Sequence, residues 1–401
     1  MPSTRRDLLS GAAALGATGL AGCAALDEDR EPDLSGDWPQ VGRDAANANH
    51  APHATLPAAV GVAWRHRIGG WPYVQPVIAE GTVYAAGDHG VFALAAADGA
   101  PRWPEPVDLL PSGGLALTDG AVLVPHDPPT RTEDPPALVA LDRATGTELW
   151  RVELEARGFA PSVADGAAYL RTDAAALAVD LDGDADGPER VRWRRPLEPL
   201  RYDEYNAVGD DMTTLIAPAV DRDRVYLPDD GTLLALDRAS GEPRWREPLE
   251  AAMASPVADE GGVVATGIGG TVALEPDGER RWRIDRGSWT SVAAAEETVY
   301  VADSSLTAHD ASDGSRRWTA DGGTGIQVSQ PAVVGDTVAA AGGEVVVNRR
   351  GDPGRFADRE LLTIREEGGH LAAHGGLAVG GGRLLAVDGI AGAVVAYEPA
   401  P

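Results

Sequence analysis

The chain has no lysine: all 34 of its basic residues are arginine. It also has only one cysteine and three phenylalanines in 401 residues. A single cysteine excludes an intrachain disulfide. The apolar stretch Gly11 to Leu20 is too short and too rich in Gly and Ala to span a bilayer permanently. Positive charge is scarce as well. Acidic residues number 62, which leaves a formal net charge of −28. Such a surface repels phosphate backbones and anionic headgroups, so nucleic acid is not expected as a direct ligand. Acid excess with few aromatics is also a composition of disordered chains, but the regular strand phrases described below contradict that reading. A dense carboxylate surface on a folded chain reads as adaptation to high salt and points to a haloarchaeal source. A GC-rich bacterial source would also favour arginine and alanine over lysine.

What the N-terminus does have is an address. Thr4-Arg5-Arg6-Asp7-Leu8-Leu9 reads as a twin-arginine signal carried by Arg5 and Arg6. Leu20-Ala21-Gly22-Cys23 reads as a lipobox, in which Cys23 receives the lipid and becomes the mature N-terminus. The expected organisation is a signal peptide over 1–22, an acidic flexible tether over 23–35 and one folded domain over 36–401. Export by the twin-arginine route and stable attachment to the outer face of the cytoplasmic membrane follow from this reading.

The folded part is a repeat. The stretch Ala217 to Trp245 opens on a short strand at Pro218-Ala219-Val220 and continues with strands at Arg224 to Leu227 and Thr232 to Leu236. A turn with Gly241 at a position that needs φ > 0 then leads into Arg244-Trp245-Arg246. Tryptophan marks the period. Trp64, Trp103, Trp150, Trp193, Trp245, Trp282 and Trp318 recur, and Phe356 takes the place of an eighth, in steps of 36 to 52 residues. Short strands at this spacing, broken by Gly and Asp, argue an all-β chain. The third strand of each unit is an apolar run such as Leu233-Leu234-Ala235-Leu236 rather than an alternation, as expected for a sheet covered on both faces. Four-stranded blades around an axis satisfy this.

The phrase P-V-x-x-x-G-x-V-Y…A-L-D-x-x-T/S-G-x-x-x-W resembles the pyrroloquinoline quinone (PQQ)-type propeller repeat. That repeat occurs in quinoprotein alcohol dehydrogenases and in BamB-type outer-membrane assembly lipoproteins. Asp37-Trp38-Pro39-Gln40, with Arg43, Asp44 and Asn47, resembles the lead-in to such propellers. The resemblance implies an eight-bladed β-propeller in which each repeat tryptophan docks on the neighbouring blade. The unit from about Leu371 to Tyr397 lacks a closing tryptophan, and Trp64 has no inner strands before it. The strand around Trp64 is therefore expected to complete the last blade and close the ring.

The resemblance also sets the enzymatic test. Quinoprotein dehydrogenases clamp PQQ with a vicinal disulfide over a tryptophan and bind calcium through Glu, Asn and a catalytic Asp. This chain has no cysteine pair and no segment assignable as that base, so neither PQQ nor a catalytic residue is expected. Asp182, Asp184 and Asp186, before Gly187, match the first half of a calcium loop, but Trp193 stands where the bidentate Glu belongs. Calcium or an acidic turn are both readings of that stretch. Trp71, Tyr73, Gln75, Arg157, Phe159, Met253, Ser255, Trp289, Gln327, Gln330, His370 and His374 fall where first strands begin, at the mouth of the channel. The longest unit adds Tyr202 and Tyr205 in an insertion. These residues either bind a peptide loop or polar ligand, or fill the channel with hydrogen-bonded side chains. The expected function is a monomeric, non-catalytic scaffold or adaptor that binds a membrane or cell-surface protein. The alternatives are a quinone-dependent dehydrogenase and a ligand or carbohydrate sensor.

Overall fold

The computed structural model describes residues 32–69, 74–128, 134–183, 185–200, 216–250, 254–259, 261–288, 290, 292–321, 329–352, 358–365, 376–389 and 391–400. They form an eight-bladed β-propeller of eight antiparallel sheets. Blade 4 shows how local sequence sets the pattern. Its strands are Ala219–Val220, Arg224–Asp229, Thr232–Asp237 and Pro243–Pro248, paired in sequence order. The turn before the last strand is held by Asp237, whose Oδ1 accepts from the backbone N–H and hydroxyl of Ser240 at 2.9 and 2.8 Å. Gly241 follows at φ +70°. The apolar third strand is buried at Leu233, Leu234, Ala235 and Leu236, because both faces of a blade are covered by neighbouring blades.

The core is accordingly a ring of seams. Separate apolar clusters join blades 1 and 2, 2 and 3, 3 and 4, 4 and 5, 5 and 6, and 6 and 7. A larger cluster spans blades 7, 8 and 1. The inner strands Val77–Ala79 of blade 1 and Leu377–Gly380 of blade 8 are in contact, so first and last blades are neighbours. Blade 8 takes its fourth strand from Val60–Arg67, which pairs antiparallel with Ala393–Pro399 from Val60 opposite Pro399 to Arg67 opposite Ala393.

The tryptophans dock as the resemblance implies. Nε1 of Trp64, Trp103, Trp193, Trp245, Trp282 and Trp318 donates to a carbonyl of the following blade, over 2.8 to 3.1 Å. Two local features aim the rings. Trp193, Trp245, Trp282 and Trp318 each sit opposite an alanine of the third strand, and a bulge follows at once. For Trp193, Trp245 and Trp282 a turn glycine of the next blade then lies on the indole, whereas the Arg359 guanidinium stacks over Trp318 at 4.4 Å. A Cβ on Gly241 would fall 2.6 Å from the Trp193 ring, and the same approach recurs at Gly278 on Trp245 and Gly314 on Trp282. Trp282→Ala should therefore cost roughly 3–5 kcal/mol, read as a lower denaturant midpoint at unchanged slope. A loss below about 1 kcal/mol would show that docking contributes little to holding the blades.

Three units depart from the repeat. Trp150 docks on no turn glycine; the Arg190 guanidinium stacks over it at 4.5 Å. Blade 1 has three regular strands, Val77–Ala79, Thr82–Gly87 and Gly90–Ala95. The fourth position around Trp103 is irregular because Pro101, Pro104 and Pro106 lack the N–H a ladder needs. In blade 7 the position of Phe356 lies outside the described residues, and the outer strand is Glu360–Ile364. That blade also gains a parallel inner strand from His50–Ala51.

Candidate functional site

At the axis the structure adds an element of which the sequence showed only the motif. From Gly36 to Ala51 the lead-in visits the blades in ring order, and backbone hydrogen bonds tie it to nearly every inner strand. The carbonyl of Gly36 meets the N–H of Gly381 in blade 8, and Trp38 exchanges both bonds with Ile78 of blade 1. The carbonyls of Pro39, Ala45, Ala46, Ala48 and Asn49 then accept from Leu117, Val220, Ala258, Ala294 and Val333 in blades 2, 4, 5, 6 and 7. Blade 3 is reached by a side chain: Gln40 Oε1 accepts from the N–H of Val163 at 2.7 Å. Three non-glycine residues at positive φ bend the segment, Arg43 at 73°, Asn47 at 57° and Asn49 at 54°. Asparagine tolerates this conformation better than most residues. Asn47 and Asn49 are fully buried. Nδ2 of Asn47 donates to the carbonyls of Ala217 and Pro256, joining blades 4 and 5, and that of Asn49 to Pro331 of blade 7. The inner ends of the blades are thus bound together by the chain's own backbone.

Gln75, Ser255 and Gln330 lie where the inner strands begin, and all three are buried. They join blades rather than face a channel. Gln75 Nε2 donates to Leu377 of blade 8 at 2.6 Å, and Gln330 Nε2 to Val292 of blade 6 at 3.3 Å. Ser255 Oγ accepts from the N–H of Ala217 in blade 4. Arg157 keeps partial exposure; it stands 3.8 Å from Asp173 and 5.3 Å from the buried Phe159 ring. Nearby Asp127 has its pKa raised, first by burial. Trp71, Tyr73, Tyr202, Tyr205, Met253, Trp289, Gln327, His370 and His374 lie outside the described residues, as do Arg5, Arg6 and Cys23.

Of the acidic loop, Asp184 lies outside the described residues. Asp186 caps the short 3-10 turn Gly187–Arg190 through the N–H of Gly187, and Arg190 ties the loop by donating to the carbonyls of Asp180 and Gly183. Among the described residues no group of three or more His, Cys, Asp or Glu is placed to hold a metal ion. The vicinal disulfide of a quinone clamp cannot form in a chain with one cysteine, so the residues do not fit that cofactor as the quinoprotein dehydrogenases hold it.

A set of latches escaped the sequence reading. In three seams a tyrosine of one blade meets an arginine of the next, which also reaches an acid at positive φ. Arg143 bonds Tyr84 and Glu80, Arg238 bonds Tyr169 and Asp165, and Arg350 bonds Tyr300 and Glu296. The signal was the arginine that closes Ala-Leu-Asp-Arg at 143 and 238, but its partner is far away in the chain.

Two clefts among the described residues lie where the inner strands end. One, of about 830 Å³, is floored by Ala48, Ala258, Ala294 and His50 and rimmed by Asp259, Glu296 and Asp310. Burial, and then the nearby Arg350 guanidinium, push the His50 pKa down to about 4. The folded state therefore binds no proton at His50 where the unfolded chain does. Stability should fall as pH drops from about 6.5 to about 4, by roughly 1–2 kcal/mol at the lower end from this half-exposed residue. His50→Gln should flatten that part of the stability profile measured by denaturant titration. An identical slope would assign the pH dependence to other groups.

The repeats, the ring and the docked tryptophans define a β-propeller of the PQQ-repeat class. The chain matches the family described as outer membrane protein assembly factor BamB over residues 88–255 and 230–369, and it belongs to that family. No curated protein sequence matches it. Among solved structures it is similar to BamB from Moraxella catarrhalis, with 18% identity, TM-score 0.65, and coverage of 85% of this chain and 100% of that one. It is also similar to quinohemoprotein alcohol dehydrogenases. The Comamonas testosteroni enzyme gives 14% identity and TM-score 0.64, covering 91% of this chain and 81% of that one. ADHIIG from Pseudomonas putida HK5 gives 13% and 0.63, covering 93% and 84%. These structural likenesses are to the fold.

Proposed function

We propose that the chain is a non-catalytic protein-binding propeller, exported folded by the twin-arginine route and held at the outer face of the cytoplasmic membrane through lipid on Cys23. The observation that carries this reading is the axis. The segment Gly36 to Ala51 lines it, and Gln75, Ser255 and Gln330 are tied to backbone of neighbouring blades. Binding is then left to rims and loops carried on a rigid ring. Membership of the BamB family supports an adaptor role. The dense carboxylate surface supports a high-salt setting, and if the source is an archaeon the partner is not an outer-membrane assembly machine.

The second reading is a quinone-dependent dehydrogenase, favoured by the fold shared with the quinohemoprotein enzymes. One experiment separates the two: a pull-down of the tethered protein from membranes at high salt, analysed for bound proteins and extracted cofactor. A reproducible partner without quinone is the expected result. A quinone at about one per chain, or dye-linked dehydrogenase activity on adding PQQ and calcium, would overturn it.

A further inference from the structure

The second cleft lies between blades 3, 4 and 5 and encloses about 810 Å³. Its charge balance differs from that of the molecule. The whole chain has 62 acidic to 34 basic residues, whereas this cleft is lined by five arginines and four aspartates. Most of these charges are matched internally. Arg238 is paired with Asp165 and Arg244 with Asp237, and Arg192 reaches Asp180 just outside the lining.

One arginine and two aspartates of the lining have no ion pair among the described residues, and a second arginine is only loosely paired. Arg222 is exposed, and its side chain has no hydrogen bond or ion pair among the described residues. Arg224 approaches Asp221 only to 3.8 Å. Both oxygens of Asp221 are already engaged: Oδ1 by the N–H groups of Asp223 and Arg224 at 2.7 and 2.6 Å, Oδ2 by the Tyr226 hydroxyl at 2.7 Å. On the acidic side, Asp223 and Asp277 are exposed and have no ion pair among the described residues. Asp277 accepts only the N–H of Glu279. The turn between the first two strands of blade 4 thus presents Arg222, Asp223 and Arg224, and Asp277 stands in the turn of blade 5 that also lines the cleft.

We infer that this cleft binds a small zwitterion of the amino-acid type, its carboxylate taken by Arg222 and Arg224 and its ammonium by Asp223 and Asp277. Guanidinium groups hold carboxylates through paired N–H donors. A lining with both charge signs left unmatched favours a ligand bearing both over a simple anion, which the net charge of −28 repels. The volume suits a small molecule. The site does not depend on the adaptor reading, because none of its residues belongs to the axis or to the rim where the inner strands begin.

The test is calorimetric titration of the full chain with free L-glutamine, N-acetyl-L-glutamine and L-glutaminamide. The free amino acid should bind, with each one-ended analogue at least tenfold weaker. The double variant Arg222→Gln/Arg224→Gln should lose binding while remaining folded, since it removes only the loose pair of Arg224 with Asp221, and Arg222→Gln alone should weaken binding at an unchanged unfolding midpoint. Asp223→Asn/Asp277→Asn should abolish discrimination against the acetylated analogue, and Arg316→Gln, on a distant exposed strand, should bind as the parent does. No binding of free glutamine, equal binding of the analogues, or wild-type binding by the arginine variant would overturn the assignment. Partner capture that persists in the arginine variant separates this site from the adaptor function.

Discussion

A chain lacking Ser35 to Ile68 should melt at least about 10 °C lower and lose its single sharp transition. The deletion removes two things at once. One is the axial segment, whose backbone bonds reach seven of the eight blades and whose Gln40 side chain reaches the other. The other is Val60–Arg67, which supplies the outer strand of blade 8 and, through Trp64, the hydrogen bond to Ala96 of blade 1. Trp64 is 8% exposed, so its loss alone should cost roughly 3–5 kcal/mol. Leaving the inner ends of the blades without their backbone partners adds buried N–H groups that have nothing to bond. Comparing the deletion with Trp64→Ala by calorimetry separates the two contributions. Unchanged melting of the deleted chain would show that the ring holds without either.

The second large effect concerns location. Cys23→Ser should move the protein from the membrane fraction to the medium almost completely, with its fold unaltered. Cys23 is the only cysteine of the chain, so the variant removes the proposed lipid site and no intrachain disulfide. Two or more acyl chains hold far more firmly than one, and the wild-type protein should therefore resist a high-salt wash that would strip a charge-held protein. A variant that stays with the membranes would place the anchor elsewhere.

Local pattern made the blades legible. The apolar third strands, the Asp and Gly turns and the spaced tryptophans each reflect forces between residues a few positions apart, repeated. The strands expected around Val220, Arg224, Thr232 and Trp245 appear within a few residues of their places. What stayed hidden depends on partners distant in the chain. The axial segment has no hydrophobic period; its order comes from backbone bonds and three residues at positive φ. The tyrosine–arginine latches join residues 50 to 69 positions apart. Gln75 and Gln330 show a further limit. A polar residue at the start of an inner strand reads alike whether it faces a channel or bonds the next blade, and only the neighbouring carbonyl decides. Trp150 obeyed the period and yet packs differently, because the loop after Ala175–Asp180 in the next blade lays Arg190 over its ring.

The pairing of Val60–Arg67 with Ala393–Pro399 also dictates when the molecule can form. This early segment has its partners in a segment made more than 300 residues later. At a synthesis rate of ~5–20 residues per second, the strand Val60–Arg67 waits some tens of seconds before its partner in blade 8 emerges. Until then its N–H and C=O groups and the flank of blade 1 stand open to pairing with other chains. Ring assembly is therefore a post-translational event of high contact order, slow for topological reasons. A ribosome that stops before residue 393 releases a chain whose strand Val60–Arg67 has no native mate, so truncated products should be recognised as misfolded however many complete blades they contain.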